Sequence, residues 1–315
     1  MACSCAMVRP KRTSSDLLRV RANEQLWADG TDNISFIANM FAQLSLPYRD
    51  PGSDLPVWTR RNGDLTLRLQ PGYTFDDKQN DVCVGYPSGV MPRLLLNWMS
   101  TEAVRTKSPD LELGTSLTEF MRKLNLKPTG GKNGSITKLR SQAERLFRAS
   151  LSVHLDSSDR QQGANLSVAS AWDLGWSVRS GNPWQGTLLP SVVRLTDDFY
   201  KRVVENPVPV NMDALIALRG SALRLDIYAW LTYRMSYLSK VTLIPWDSLR
   251  QQFGSRLADD RSGNAQFRRD FVNNLKQVLV IYDDARVDPV ASGLRLYPSP
   301  THVPFKGLPK RLPRQ

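Results

Sequence analysis

Two periods govern the apolar positions of this chain. Leu65, Leu67 and Leu69 recur at every second residue, which predicts a half-buried strand over Asp64–Gln70. Most other apolar positions recur at helical spacing. Ile34, Ile37, Phe41 and Leu44 predict a helix over Asp32–Leu44, after which Pro47, Pro51, Gly52 and Pro56 make 47–56 a linker or long loop. A short strand is expected at Val82–Val84. Pro92 opens a helix whose buried face is Leu94–Trp98 and Val104, and Leu111–Leu113 reads as a strand ending in a turn at Gly114. Ser116, with Glu119 three residues on, is an N-cap signature for a helix over Leu117–Leu124. Pro128, Gly130, Gly131 and Gly134 make a turn, Ser135 caps a helix running through Phe147, and Leu151–Leu155 pairs with Leu166–Ala169 about a polar loop at Ser157–Gly163.

A similar order returns further along. Leu195–Val204 and Asp213–Leu218 read as helices, and Leu223–Leu238 as an amphipathic helix built on Leu223, Ile227, Trp230, Leu231 and Met235. Val241–Ile244 is a strand ended by Pro245, Ser248–Phe253 a short helix and Asn264–Ile281 a long one. Arg286–Val290 and Leu294–Tyr297 form a hairpin about Ser292 and Gly293. Helix, strand, helix, turn, helix and hairpin is the plan of a winged helix-turn-helix domain. The expected fold is α+β, with tandem winged helix-turn-helix domains at 61–190 and 191–300. An N-terminal arm and linker at 1–60, basic and mobile over its first 22 residues, precedes them, and a basic proline-containing tail at 301–315 follows. The two halves share element order and no visible sequence identity.

Charge narrows the class of partner. The 315 residues carry 42 Lys and Arg against 30 Asp and Glu, a formal net charge of +12. Arg122–Arg148 alone holds Arg122, Lys123, Lys127, Lys132, Lys138, Arg140, Arg145 and Arg148 against Glu144, an excess of +7. Leu124, Ile136, Leu139, Leu146 and Phe147 thread that segment at helical spacing, so the charge sits on folded helices and its counterpart is a polyanion, most commonly a phosphodiester backbone. With 41% hydrophobic and 9% aromatic residues, a soluble globular protein is expected. Leu94–Leu96 and Val278–Tyr282 are far too short to span a bilayer, and Ala6–Val8 is too short a core for a signal peptide. Cys3, Cys5 and Cys83 make no disulfide framework, which points to a reducing cytoplasm, and no second Cys/His pair completes a zinc site.

Two helices carry candidate DNA contacts. At 100° per residue, Ile136, Leu139, Ala143, Leu146 and Phe147 share one face of Ser135–Ser150, and Lys138, Ser141, Arg145 and Arg148 gather opposite. With Lys132 in the preceding turn, these are the expected phosphate contacts. On the second helix Phe267, Phe271, Val272, Leu275, Val278 and Leu279 share the buried face, leaving Gln266, Arg269, Asn273 and Lys276 as a stripe suited to base edges. Arg160 and Arg295, near the expected hairpin tips, are candidates for the adjacent groove or backbone. Trp172, Trp176 and Trp184 read as core or interdomain packing in preference to a stacking platform for single strands.

Enzymatic chemistry has no visible seat. His154 and His302 each stand alone, whereas a nicking enzyme needs clustered metal-binding histidines beside a nucleophilic tyrosine. Gly130-Gly131-Lys132-Asn133 lacks the spacer and the Ser/Thr of a phosphate-binding loop. Asp76-Asp77, Asp197-Asp198, Asp259-Asp260 and Asp283-Asp284 are adjacent pairs with diverging side chains, better read as turns and helix starts than as Mg²⁺ ligands. No catalytic residue, metal or cofactor is expected.

Gly85–Leu124 (GYPSGVMPRLLLNWMSTEAVRTKSPDLELGTSLTEFMRKL), Thr129–Phe147 (TGGKNGSITKLRSQAERLF), Leu223–Leu238 (LRLDIYAWLTYRMSYL) and Phe267–Asp288 (FRRDFVNNLKQVLVIYDDARVD) resemble the RepA-type plasmid replication initiators of Gram-negative bacteria. The resemblance implies a non-enzymatic initiator that binds repeated double-stranded sites at a plasmid origin and recruits a host helicase or its loader. It also implies a monomer–dimer equilibrium and repression of its own promoter, with base readout mainly in the C-terminal domain, here Gln266, Arg269, Asn273 and Lys276. A winged-helix repressor of the same architecture and a DNA-nicking initiator are the rival readings.

Overall fold

The computed structural model describes residues 33–156, 161–174, 190–254 and 260–303. The expected arm at 1–22, Arg160, Trp176, Trp184 and the basic tail from 304 onward lie outside the described residues. In chain order the elements begin β1 (Ile34–Ala38), α1 (Asn39–Gln43), β2 (Trp58–Asn62), β3 (Leu65–Gln70), β4 (Gly72–Phe75), β5 (Asp81–Gly85), α2 (Val90–Thr106) and β6 (Asp110–Gly114). They continue α3 (Leu117–Lys123), α4 (Ser135–Arg148), β7 (Ser150–Asp156), β8 (Gln161–Ser167), β9 (Ala169–Asp173), β10 (Ser191–Leu195) and α5 (Asp197–Glu205). The series ends β11 (Pro207–Asn211), α6 (Met212–Leu218), α7 (Ala222–Met235), β12 (Thr242–Pro245), α8 (Trp246–Phe253), α9 (Arg261–Ile281), β13 (Val287–Val290) and β14 (Gly293–Leu296). The fold is α+β, with helices packed on several small antiparallel sheets.

The C-terminal half follows the order expected from its apolar spacing. α7, β12, α8 and α9 lead into the β13–β14 hairpin, and β12 pairs with β14 to give the sheet order β12-β14-β13. Phe267, Phe271, Leu275 and Val278 turn α9's apolar face onto a core containing Ile227, Trp230, Leu231 and Phe253. Trp246 meets Phe271 at 6.1 Å and 80°, and its indole N–H donates to the Val290 carbonyl at 3.0 Å, tying the start of α8 to the hairpin. Asp260 caps α9 by accepting from the Gly263 N–H at 2.6 Å.

The N-terminal half departs from that plan in its sheets. α2, β6, α3, α4 and the β7–β8 hairpin come in the expected order, but β6 pairs with β10, which pairs with β9. The hairpin instead joins β3 and β2 in a four-stranded sheet, where Trp58, Leu69, Leu151 and Leu166 form one buried cross-strand row. Leu195, expected to start a helix, ends β10, and Thr196 caps α5 by accepting from Phe199 N–H. Ser116 caps α3 as its spacing predicts, accepting from Glu119 N–H at 3.2 Å. Ser135 is not the cap of α4. Its hydroxyl accepts from Thr129 N–H at 2.9 Å and donates to the Lys127 carbonyl at 2.8 Å, stapling the turn, while Gly134 holds the cap position. A Cβ on Gly134 would lie 2.3 Å from the Thr129 and Gly130 carbonyl oxygens, so only glycine fits there.

Residues 33–60, expected as arm and linker, are instead the joint between the halves. β1 pairs antiparallel with β11, from Ile34↔Asn211 to Ala38↔Pro207, so a strand replaces the first part of the expected helix. Its other edge is satisfied by α2: Phe36 N–H donates to Thr101 Oγ1 at 2.9 Å, and Asn97 Nδ2 donates to the Phe36 carbonyl at 3.1 Å. Beyond α1, Ser45 Oγ donates to the Gln252 carbonyl at 2.9 Å, Gln252 Nε2 donates to the Gln43 carbonyl at 2.8 Å, and Arg60 donates to the Gly254 carbonyl at the end of α8. Two hydrophobic cores result. One gathers residues as far as Val203 and the other starts in earnest at Val208, so β10 and α5 belong with the first half and the crossing falls after 203, not at 190.

His302 closes the second core. It stacks on Tyr282 at 4.9 Å, and its Nδ1 shares a hydrogen bond of 2.7 Å with Tyr228 Oη, which also accepts from Asn211 N–H. Burial holds the imidazole neutral by lowering its pKa from 6.5 to about 4. The folded state binds fewer protons than the unfolded chain between those values, so this contribution is complete above pH 6.5 and is lost as pH falls toward 4. By pH 5 the loss amounts to roughly 2 kcal/mol. Urea titrations at pH 7.5 and 5 should show that drop in the wild type and a smaller one in His302→Phe, and equal drops would remove His302 as the cause.

Candidate nucleic-acid interface

α4 sorts as its wheel predicts on the buried side. Ile136, Leu139, Ala143, Leu146 and Phe147 are all buried in the first core. The polar side divides in two. Lys132 and Lys138 are exposed, and with Ser141 they line an open groove of about 500 Å³ whose opposite wall is Ser88–Met91, ahead of and into α2. Gln142 Oε1 accepts from Ser88 N–H at 2.8 Å and ties the two walls together. The groove presents two ammonium groups beside the Thr137 and Ser141 hydroxyls, a lining that suits a phosphate or a run of them. Its Ser88–Met91 wall lies over 40 residues upstream of α4 and carries no charge, so spacing and charge gave no sign of it.

Arg145 and Arg148 go elsewhere. Arg145 pairs with Asp50 at 2.5 Å and donates to the Tyr86 carbonyl at 3.3 Å. Arg148 lies 3.3 Å from Glu144, donates to the Tyr73 carbonyl at 3.2 Å and covers the Trp172 ring at 5.5 Å. Both are half-buried against the β4–β5 hairpin and the loop before β2, where acids already balance their charge. Trp172 packs on Phe147 at 6.0 Å.

α9 presents its stripe to solvent. Arg269, Asn273 and Lys276 are exposed and Gln266 is half-buried. Arg269 Nη2 donates to Gln266 Oε1 at 2.6 Å, and Gln266 Nε2 donates to Asp270 Oδ1 at 2.8 Å. Arg268, off the stripe, lies over the Trp246 ring at 5.0 Å. The hairpin tip is Ala291–Ser292, so Arg295 is not at the tip. It sits within β14 on the sheet's outer face, opposite Leu243 and Asp288, and lies 3.9 Å from the Asp288 carboxylate.

Among the described residues, no group of three His, Cys, Asp or Glu side chains is arranged to hold a metal ion, and no helix is long and apolar enough to cross a membrane.

The chain is similar in structure to domains 2 and 3 of RctB, seen in a crystal structure of selenomethionine derivatives, with a TM-score of 0.45, 11% identity and coverage of 76% of this chain and 83% of that one. No curated protein matches it in sequence. The family model described as plasmid encoded RepA protein matches residues 86–248, just over half of the chain, from before α2 into α8 and so across both groove walls and α4. By that match the chain belongs to the family of plasmid-encoded RepA proteins.

Proposed function

We propose that this protein initiates plasmid replication by binding repeated double-stranded sites at the origin through two tandem winged-helix units, without catalysing a reaction itself. The observation that carries the reading is the exposed line of Arg269, Asn273 and Lys276 on a helix that follows a short helix and precedes a hairpin. The sheet order β12-β14-β13 supports a winged helix in the second half. α4, with the Lys132 and Lys138 groove beside it, takes the corresponding place in the first, where the wing has been absorbed into a larger sheet. In this reading α9 chooses the sequence and α4 anchors the phosphates. Recruitment of a host helicase or its loader, a monomer–dimer equilibrium and repression of the protein's own promoter complete the proposal, on the strength of the family.

The gene supplied in trans should maintain a plasmid that carries the origin alone, and footprinting should show protection of repeats within that origin. Protection without maintenance at any dose would leave a repressor. A nicked or covalently joined product from supercoiled origin DNA and Mg²⁺ would make the protein an enzyme.

A further inference from the structure

The residues of the α9 stripe are not equivalent. Gln266 lies between a carboxylate, Asp270, and a guanidinium, Arg269, and is bonded to both. A carboxylate only accepts and a guanidinium only donates, so the amide has one possible orientation, nitrogen toward Asp270 and oxygen toward Arg269. One amide N–H and one carbonyl lone pair are thereby taken up within the helix, and the amide plane is set by Asp270 and Arg269 and not by a base. The series carboxylate, amide, guanidinium runs from negative to positive, so each bond polarises the next. The turn that bears it is itself held: Asn274 Nδ2 donates to the Asp270 carbonyl at 2.8 Å, and Asn274 Oδ1 accepts from Arg224 Nε of α7 at 3.1 Å. Arg269 remains exposed at the end of the series, with its other guanidinium donors directed to no protein acceptor among the described residues.

We infer that Gln266 and Asp270 are positioning residues that aim the Arg269 guanidinium, so that the three together read one guanine and Gln266 reads no base of its own. This rests on the proposal that α9 enters a major groove. A guanidinium fork held in one plane is pre-organised for paired bonds to guanine O6 and N7, and the ordering cost of the long side chain is met before DNA arrives. Ordinary surface bonds between neighbouring helical residues would support the helix slightly and would leave base choice untouched.

The test is selection of bound duplexes from a randomised pool by the full-length protein, followed by affinities on the selected site and on variants in which each base pair is changed. The wild type should require a guanine that Arg269→Ala no longer requires, with affinity for the selected site falling by about 10- to 100-fold. Gln266→Ala and Asp270→Ala should weaken the preference at that same base pair, by about 3- to 10-fold, and at no other. Gln266→Glu keeps an oxygen facing Arg269 and should retain the guanine preference at lower overall affinity, with thermal melting confirming that each variant folds. The inference is overturned if Gln266→Ala alters a different base pair from Arg269→Ala, or leaves the guanine preference intact while Arg269→Ala abolishes it. A wild-type protein that selects no sequence at all would instead remove the reading of α9 as the sequence-choosing helix, and this inference with it.

Discussion

Arg93→Ala should lower the free energy of unfolding by about 3–5 kcal/mol, the cost of leaving a buried charge without its partner. Arg93 on α2 and Asp226 on α7 are 8% and 9% exposed, and the pair is bidentate: Nε to Oδ1 and Nη2 to Oδ2, each at 2.7 Å. The remaining donors meet the Gly89 carbonyl at 2.6 Å, the Leu46 carbonyl at 2.7 Å and the Pro47 carbonyl at 3.3 Å, so one guanidinium serves α2, α7 and the segment after α1 at once. Truncation therefore strips a carboxylate and three part-buried carbonyls of a donor together. Exposed pairs give the contrast, since Arg194–Asp110, at 51% and 59%, should cost less than about 1 kcal/mol when broken. The double substitution Arg93→Met with Asp226→Leu should recover part of the loss by removing the orphaned charge, but not all of it, because the carbonyls remain without donors. Urea unfolding followed by tryptophan fluorescence measures all three. A loss below about 1 kcal/mol for Arg93→Ala would show that water enters this joint and that the two halves are not held through it.

That joint was the least legible part of the chain. Apolar spacing is a local signal, and it served where an element's partners are near in sequence: the buried faces of α4 and α9, the Ser116 cap and the β13–β14 hairpin were all readable. β1 carries a helical signal because Ile34 and Ile37 are three residues apart, a spacing that puts them on opposite faces of the strand, and its strand partner, the Pro-Val-Pro-Val run of β11, lies about 170 residues away. Ser135 has the residue type of a cap but spends its hydroxyl on the turn behind it, a choice that only the closure of 127–135 reveals. The charge of Arg122–Arg148 was plain, and its use was not. Asp50, which takes Arg145, is 95 residues upstream in a stretch that reads as linker. Gln266 shows the same limit at short range: its place in the stripe was legible, while its bonds depend on rotamers that a helical wheel does not contain.

Separating the two roles of α4 gives the second large effect. Lys132→Ala with Lys138→Ala should flatten the dependence of log affinity on log salt by about two units and weaken every duplex alike, since each ammonium that leaves a phosphate retains a counterion. Affinity at moderate salt should fall by roughly 10- to 100-fold, with no change in the preferred sequence and little change in melting temperature, because both side chains are exposed and the buried face of α4 is intact. Arg145→Ala should behave in the opposite way. Its guanidinium is already bonded to Asp50 and the Tyr86 carbonyl, so its removal unties the loop before β2 from the end of β5, lowering stability slightly while the salt slope stays within about half a unit of the wild type. Anisotropy titrations between 50 and 200 mM salt, paired with thermal melts, measure both quantities on the same samples. If Arg145→Ala flattened the slope as much as the lysine pair, the ion pair with Asp50 would have to open on DNA, and the phosphate track would extend along the whole helix instead of ending at the groove.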